Sequence, residues 1–249
     1  MIESPLSQRP LESALFGCRV CTASVDSLPA MQRALDAARL LGSALVVVRV
    51  PVHEVAAIHA VEAAGGRLCD ILVTLAGRFL PASMPPTLAP DITVRRAQAM
   101  DADAISDVAT RSFRSGTTHW HADPRLPAEL ADELYGRWAA ALARSASDDT
   151  PVFVAETRER SIAGFLALEP QSPGAWHVPL TGVAPEFRGR GVLGAMLDAS
   201  AMTCNRDGAQ QTLYYATQLA NHAALRAVSR RGLIVDSSRL TFHLWVPEP

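Results

Sequence analysis

One glycine-rich turn constrains this chain more than any other stretch. Arg188-Gly189-Arg190-Gly191-Val192-Leu193-Gly194 follows the extended run His177-Val178-Pro179-Leu180-Thr181-Gly182-Val183 and precedes a segment with Leu193, Met196, Leu197 and Ser200 at spacings of three and four. Strand, turn and helix in that order leave successive backbone N–H groups unpaired at a helix N-terminus, where the donors and the helix dipole together favour an anion. Gly189, Gly191 and Gly194 let the main chain approach phosphate oxygens, and Arg188 and Arg190 add positive charge. The guest this pattern implies is a pyrophosphate. A dinucleotide fold would put such a turn in the first βα unit of a parallel sheet, with an acidic residue about 20 positions on. Here a hairpin pattern precedes it instead: apolar runs at 152–155 and 162–168 flank the polar Thr157-Arg158-Glu159-Arg160.

The rest of the chain falls into two α/β stretches. The first alternates strands near 18–25, 45–50 and 68–76 with helices near 28–42 and 53–64. Four prolines then fall within Leu80-Pro81-Ala82-Ser83-Met84-Pro85-Pro86-Thr87-Leu88-Ala89-Pro90, which removes backbone donors and favours an extended linker. The expected organisation is therefore a small N-terminal α/β domain over 1–80, a linker over 81–91 and a larger domain over 92–249. That second domain opens with a strand at 92–96 and a helix capped by Asp101 with Ile105, Val108, Ala109 and Ser112 on one face. A helix over 127–143 follows, with Leu130, Leu134, Trp138 and Leu142 as its apolar stripe. After the hairpin, the strand 176–183 leads into the glycine-rich turn.

Composition removes several alternatives. All 23 basic residues are arginine, so a Schiff-base lysine, a pyridoxal anchor and a Walker-type phosphate loop are excluded in this chain. A net charge of -2 without long runs of one sign argues against a nucleic-acid or membrane-surface partner. Cys18 and Cys21 form a lone C-x-x-C on a strand, with no second pair to complete a metal site, so no metal is expected and ordinary thiols are. Sparse cysteines and the lack of ~18 continuous apolar residues lead to the expectation of a cytoplasmic protein, and the Arg and Ala bias to that of a bacterial source.

The turn and its surroundings resemble the GNAT superfamily of acyl-CoA N-acyltransferases, whose signature reads Arg/Gln-x-x-Gly-x-Gly/Ala. Arg188 and Gly191 match it, and Leu193 stands where the last glycine or alanine is usual, with Gly194 next. The strand Thr212-Leu213-Tyr214-Tyr215-Ala216-Thr217, then Asn221-x-x-Ala224 opening a helix, continues the superfamily's order. Three further segments are similar to the two-domain, dTDP-fucosamine acetyltransferase type: Leu15-Phe16-Gly17, the stretch from His121 through Leu134 to Trp138, and Ala216-Thr217-Gln218-x-x-Asn221-x-Ala223-Ala224.

This resemblance implies a mixed α+β fold whose central, mostly antiparallel sheet is splayed and flanked by helices, next to the small N-terminal domain. It implies acetyl-CoA or another acyl-CoA as co-substrate, held by Leu180, Thr181, Gly182, Val183, by Arg188, Gly189, Arg190, Gly191, Val192, Leu193 and Gly194, and by Asn221 and Ala224. The Val183 N–H would stabilise the oxyanion, and Asn221, Tyr215 and His177 complete the catalytic set, with Glu156 a second candidate base. The acceptor would be a small-molecule primary amine, either a nucleotide-linked amino sugar or an amino acid or antibiotic-like amine, contacted by Trp120, His121, Asp123 and Thr217. His119 lies in the same loop, and a homodimer is compatible with the pattern. Seven residues after Asn221 the superfamily usually carries a tyrosine that protonates the leaving thiolate. This chain has Val228 there, which leaves open Tyr214 or Tyr215 as a substitute acid, water, or a non-catalytic CoA-binding module.

Overall fold

The computed structural model describes residues 5–80, 89, 91–114, 118–204 and 211–246. Most of the expected linker, 81–88 and 90, lies outside the described residues. The first stretch begins with β1 (Ser7–Gln8) and α1 (Pro10–Phe16), continues through β2 (Val20–Ser24), α2 (Leu28–Leu41), β3 (Leu45–Pro51) and α3 (Val55–Ala63), and ends in β4 (Arg67–Arg78). Local chemistry accounts for these boundaries. The Ser27 hydroxyl accepts the Ala30 N–H at the start of α2, and Gly42 ends it in the left-handed conformation at φ 60. β3 reads Leu-Val-Val-Val-Arg-Val-Pro and is buried on both faces except at Arg49, as a parallel neighbour of β2 covered by helices should be.

Beyond residue 91 come β5 (Ile92–Arg96), α4 (Ala102–Phe113) and α5 (Ala128–Arg144), then β6 (Val152–Thr157), β7 (Ile162–Ala167), β8 (Glu169–Ser172), β9 (Ala175–Val178) and β10 (Thr181–Val183). The chain then forms α6 (Val192–Cys204), β11 (Thr212–Gln218), α7 (His222–Ser229) and β12 (Ile234–Trp245). Helices α4 and α5 pack tightly because Gly136 has no side chain: a Cβ there would overlap Thr110 Oγ1.

The strands form an eight-stranded sheet in the order β1-β2-β3-β12-β4-β11-β9-β8 and a four-stranded antiparallel sheet in the order β10-β7-β6-β5. In the larger sheet only the β2/β3 and β11/β9 pairs are parallel. The mixed, largely antiparallel and splayed architecture is the one expected from the sequence. Two details differ. The expected single strand over 176–183 is two strands, β9 and β10, which belong to different sheets. The sheet also runs without a break from the N-terminal stretch into the rest, because β12 inserts between β3 and β4, antiparallel to both.

Hydrophobic clusters lie on both faces of the larger sheet. On one face Leu45 and Val47 of β3 pack with Trp120, Leu134, Tyr135 and Ile105 from α4, α5 and the loop between them. On the other face, Val46, Val48 and Phe242 meet Met31 and Ala38 of α2, and Leu75, Leu213 and Tyr215 meet Met196 of α6 and Val228 of α7.

Candidate active site

β9 runs parallel to β11 as far as Val178, which lies opposite Tyr215. Pro179 then has no N–H with which to continue the ladder, and by Thr181 the chain has joined β7 instead. β11 continues through Ala216, Thr217 and Gln218, paired to β4. A wedge therefore opens between residues 181–183 and 216–218. The Ala167 N–H donates to Leu180 O and the Ala184 N–H to Ala163 O, each at 2.9 Å. In an antiparallel ladder bonded pairs alternate with unbonded ones, so residues 180, 182 and 184 face β7, while the N–H and C=O of Thr181 and Val183 turn into the wedge.

Helix α4 secures this edge from above. Ser112 Oγ donates to Val183 O at 3.0 Å, and Arg188 Nη2 donates to Ser112 O at 3.0 Å. Arg188 thus ties the turn back to α4 while remaining exposed to solvent, and Arg190 lies over the Phe187 ring at 5.5 Å. Sequence reasoning placed Ser112 on the apolar face of α4. A hydroxyl at the end of that face was the one hint of its bond to the strand edge.

The glycine-rich turn leads from a short 3-10 helix at 185–187 into the N-terminus of α6. Gly189 and Gly191 both adopt φ 77, a conformation L side chains rarely take. The first helical bond of α6 runs from the Ala195 N–H to Gly191 O at 3.0 Å, so the amides of Val192, Leu193 and Gly194 have no intrahelical acceptor. Gly194 also meets a packing demand. The space beside it is filled by Arg231, whose guanidinium a Cβ would overlap, and Arg231 is held by Asp198 at 3.0 and 3.2 Å. Gly194 therefore admits a packed ion pair between α6 and the end of α7, whereas Gly189 and Gly191 shape the cradle itself.

The remaining residues singled out in the sequence are placed as follows. Asn221 caps α7, its Oδ1 accepting the Ala224 N–H at 3.2 Å and its Nδ2 donating to Thr217 Oγ1 at 3.0 Å. Asn221, Ala224 and Thr217 thus form one bonded group at the end of β11. Tyr215 is 3% exposed and Val228 0%, both within the apolar cluster under α6 and α7, and burial raises the Tyr215 pKa. His177 lies opposite Tyr214. Its Nε2 is 3.4 Å from Glu169, and its Nδ1 is sealed from solvent without a partner among the described residues. Glu156 is bound by Arg95 at 2.8 and 3.2 Å, which holds its carboxyl below the usual range.

The loop between α4 and α5 points inward. Asp123 is 1% exposed. Its Oδ2 accepts from Trp245 Nε1 at 2.7 Å and from His243 Nδ1 at 3.0 Å, and its Oδ1 accepts the Arg125 N–H at 3.1 Å. Burial alone would raise the Asp123 pKa, but the donors from Trp245, Arg125 and His243 together hold it below the usual range. His243 Nε2 in turn meets His119 Nδ1 at 2.8 Å. Trp120 is buried against Phe16 and His119, with ring centroids at 5.3 and 4.3 Å. His121 is bonded to Thr118 at 2.8 Å and to Asp132 at 3.0 Å. Geometry thus gives Asp123, Trp120 and His121 the task of fixing the loop. The Cys21 thiol lies 3.2 Å from Ser43 Oγ. Among the described residues no group of three or more His, Cys, Asp or Glu side chains is arranged to hold a metal ion, and no helix is long and apolar enough to cross a membrane.

Comparison with known proteins agrees with this geometry. Residues 113–233 match the model of the acetyltransferase (GNAT) family. A curated relative, the spore coat polysaccharide biosynthesis protein SpsD of Bacillus subtilis, is 22% identical over 204 residues, which covers 80% of this chain and 66% of SpsD. Among solved structures, a GCN5-related N-acetyltransferase from Sphaerobacter thermophilus aligns with a TM-score of 0.54 at 18% identity, over 86% of this chain and 64% of that one. A GCN5-related N-acetyltransferase from Kribbella flavida aligns with a TM-score of 0.58 at 15% identity, over 90% of this chain and 80% of that one. This chain therefore spans just under two thirds of the length of SpsD and of the Sphaerobacter protein. A conserved protein of unknown function from Staphylococcus epidermidis aligns over 99% of this chain and 93% of its own, with a TM-score of 0.64 at 10% identity. The splayed sheet, the cradle at the start of α6 and these alignments lead to one conclusion: the chain has the fold of the GNAT acetyltransferases, and the segment that forms the wedge and the cradle is the segment that matches their family model.

Proposed function

We propose that this protein is an acyl-CoA-dependent N-acyltransferase that transfers an acetyl or related acyl group to a primary amine on a small molecule. The observation that carries the reading is the wedge with the Thr181 and Val183 amides turned into it, ending at a cradle of unpaired N–H groups. An acyl-CoA needs both parts. Its pantetheine amides pair with the free strand edge at Thr181 and Val183, and its pyrophosphate rests on the turn at residues 188–194, whose unpaired amides begin after Arg188, with Asn221 and Ala224 on the opposite side. The acceptor amine must first lose a proton, since an alkylammonium is mostly protonated at neutral pH. His177 is the proposed group for that step. The amine nitrogen then bonds to the thioester carbon, the Val183 N–H stabilises the resulting oxyanion, the nitrogen gives its second proton to water, and the C–S bond breaks to release the amide and the CoA thiolate. Tyr215 is sealed and weakly acidic, so water is the proposed proton donor to a leaving group with a pKa near ~8.5. Trp120, His121 and Asp123 act by positioning the wall of the acceptor side, with Thr217 at its edge. SpsD is named for spore coat polysaccharide biosynthesis, which supports an amino sugar as the acceptor, free or nucleotide-linked. A two-domain organisation divided at 81–91, a cytoplasmic location and a homodimer complete the proposal.

Two measurements test it. Gly191→Glu puts a carboxylate into the cradle and is expected to abolish acetyl-CoA binding by calorimetry while leaving the far-ultraviolet circular dichroism spectrum unchanged; unaltered affinity would refute the placement of the pyrophosphate. CoA release from acetyl-CoA is then followed against amino sugars, nucleotide amino sugars, amino acids and aminoglycosides. Val228, fully buried and apolar where a proton donor is usual, favours a second reading as a non-catalytic acetyl-CoA-binding module. That reading expects tight binding with no release across the panel, and turnover of any amine excludes it.

A further inference from the structure

Arg49 is a half-buried cation with no carboxylate at ion-pair distance among the described residues; the acid that acts on it, Asp70, lies two strands away. It lies on the face of β3 that carries Leu45 and Val47 beneath α5. Its Nε is sealed from solvent without a hydrogen-bond partner, and among the described residues its guanidinium makes no ion pair. Other partly buried arginines are answered: Arg95 by Asp101 and Glu156, Arg231 by Asp198. A charge partly withdrawn from water and left without a hydrogen-bond partner is unfavourable, and native proteins seldom retain one without use. Burial lowers the Arg49 pKa, Arg9 lowers it further, and Tyr135 and Asp70 oppose them ahead of a small contribution from Arg239.

The sheet register shows where this charge lies relative to the wedge. Gln218 at the end of β11 is opposite Leu72 of β4, and Leu72 is opposite Arg239 of β12. In the next row on the same face, Asp70 of β4 is opposite Thr241 of β12, and Thr241 is opposite Arg49 of β3. With strands about 4.8 Å apart, Arg239 stands roughly 10 Å and Arg49 roughly 14 Å sideways from the β11 lip of the wedge. Arg239 is bonded to Ser24 Oγ at 3.3 Å, and Arg9 is paired with Glu12. Three guanidinium groups therefore converge on this end of the face, and Arg49 is the one with no hydrogen bond or ion pair among the described residues. Asp70 lies between it and the wedge, its carboxyl pushed up to about 6, mainly by burial.

We infer that the acceptor carries an anionic group, a carboxylate or a phosphate, that pairs with Arg49 at roughly 10–15 Å from the amine being acylated. The inference rests on the acyltransferase reading for the identity of the ligand, and on Arg49 alone for the anion. A free amino acid, whose carboxylate sits one carbon from its amine, is too short to reach both places. An amine separated from its anion by a sugar ring and a linker, or by several peptide units, is long enough.

The test compares acceptors matched at the amine: a hexosamine with no phosphate, its 1-phosphate and its nucleoside diphosphate, and a tripeptide amine with a free or amidated terminus. Anionic members are expected to show the lower KM. Arg49→Gln is expected to raise KM for those members about 10–100-fold, the loss of one charge-assisted bond, with kcat and the KM of neutral members unchanged, and Arg49→Lys to restore part of the difference. Equal KM for anionic and neutral members, or equal damage to both by Arg49→Gln, overturns the inference. Failure of the acyltransferase reading is recognised separately, by absence of acetyl-CoA binding. In that event, inorganic pyrophosphate and succinate are tested by thermal shift in the Gly191→Glu background, where the cradle no longer competes. Stabilisation that Arg49→Gln removes supports the anion site and identifies phosphate or carboxylate as its ligand; stabilisation absent or unaffected by Arg49→Gln overturns it.

Discussion

At the scale of single residues, the buried chain from Asp123 through His243 to His119 shows how distant partners change the meaning of a side chain. The Asp123 carboxylate accepts from His243 Nδ1, so a neutral His243 presents the lone pair of Nε2, to which His119 Nδ1 donates. Burial lowers the pKa of both rings: His119 falls well below its ordinary value of 6.5, and His243 falls despite the opposing Asp123. Both histidines are therefore neutral in the folded protein at a pH where the unfolded chain has begun to take up protons. Stability contributed by this pair is fully present above about pH 6.5 and is lost as the pH falls from there through the folded values. Chemical denaturation between pH 7.5 and 5 is expected to show that decline, and His119→Gln to flatten its slope; an unchanged slope would remove His119 from the account. The sequence offers Asp123 as a substrate contact only through the resemblance, in which this loop borders the acceptor pocket. Its partners His243 and Trp245 lie 120 and 122 residues away, beyond any local pattern.

At the scale of elements, what was legible was periodicity, and what was not was pairing. The helices α2, α3, α4, α5 and α6 and the hairpin β6–β7 stand within a few residues of where apolar spacing places them, because each buries a face whose pattern is written locally. β12 gave no such signal. Its first half, Ile234-Val235-Asp236-Ser237-Ser238-Arg239, is polar and bulged, and only Leu240, Phe242 and Leu244 alternate cleanly. The division of the stretch 176–183 into β9 and β10 also depends on which neighbour each half finds, though Pro179 marks the place. The alternation on β10 makes a sharp prediction. The Val183 N–H is not part of the ladder with β7, so Val183→Pro should remove that donor at little cost to folding on this edge strand. A fall in kcat of roughly 100–1,000-fold with a Tm within a few degrees of the parent is the expected outcome, read by steady-state kinetics and calorimetry. An unaffected kcat would transfer the oxyanion role elsewhere.

For the molecule as a whole, the two stretches separated by the proline-rich segment share one sheet. The N-terminal β3 and β4 hold β12 between them, and β4 also carries β11, so the sheet beside the wedge is built from both ends of the chain. A protease site engineered at 84–86 tests how far the proposed domains are independent. After cleavage, the two fragments are expected to co-elute in size-exclusion chromatography and to separate only in denaturant. Spontaneous dissociation under native conditions would favour self-sufficient domains. The prolines mark a change in composition at 81–90, but composition says nothing about which strands will later lie side by side.

The position of β12 also bears on how the protein is made. On the ribosome β3 and β4 are finished early, yet the strand that joins them emerges after every other described strand. Until then each presents an open edge of unpaired N–H and C=O groups. Such late, long-range closure slows folding and lengthens the interval in which nascent chains can associate with one another. This protein should therefore depend on chaperones during synthesis more than its finished stability would suggest, and its yield should respond to translation speed over the codons just before β12.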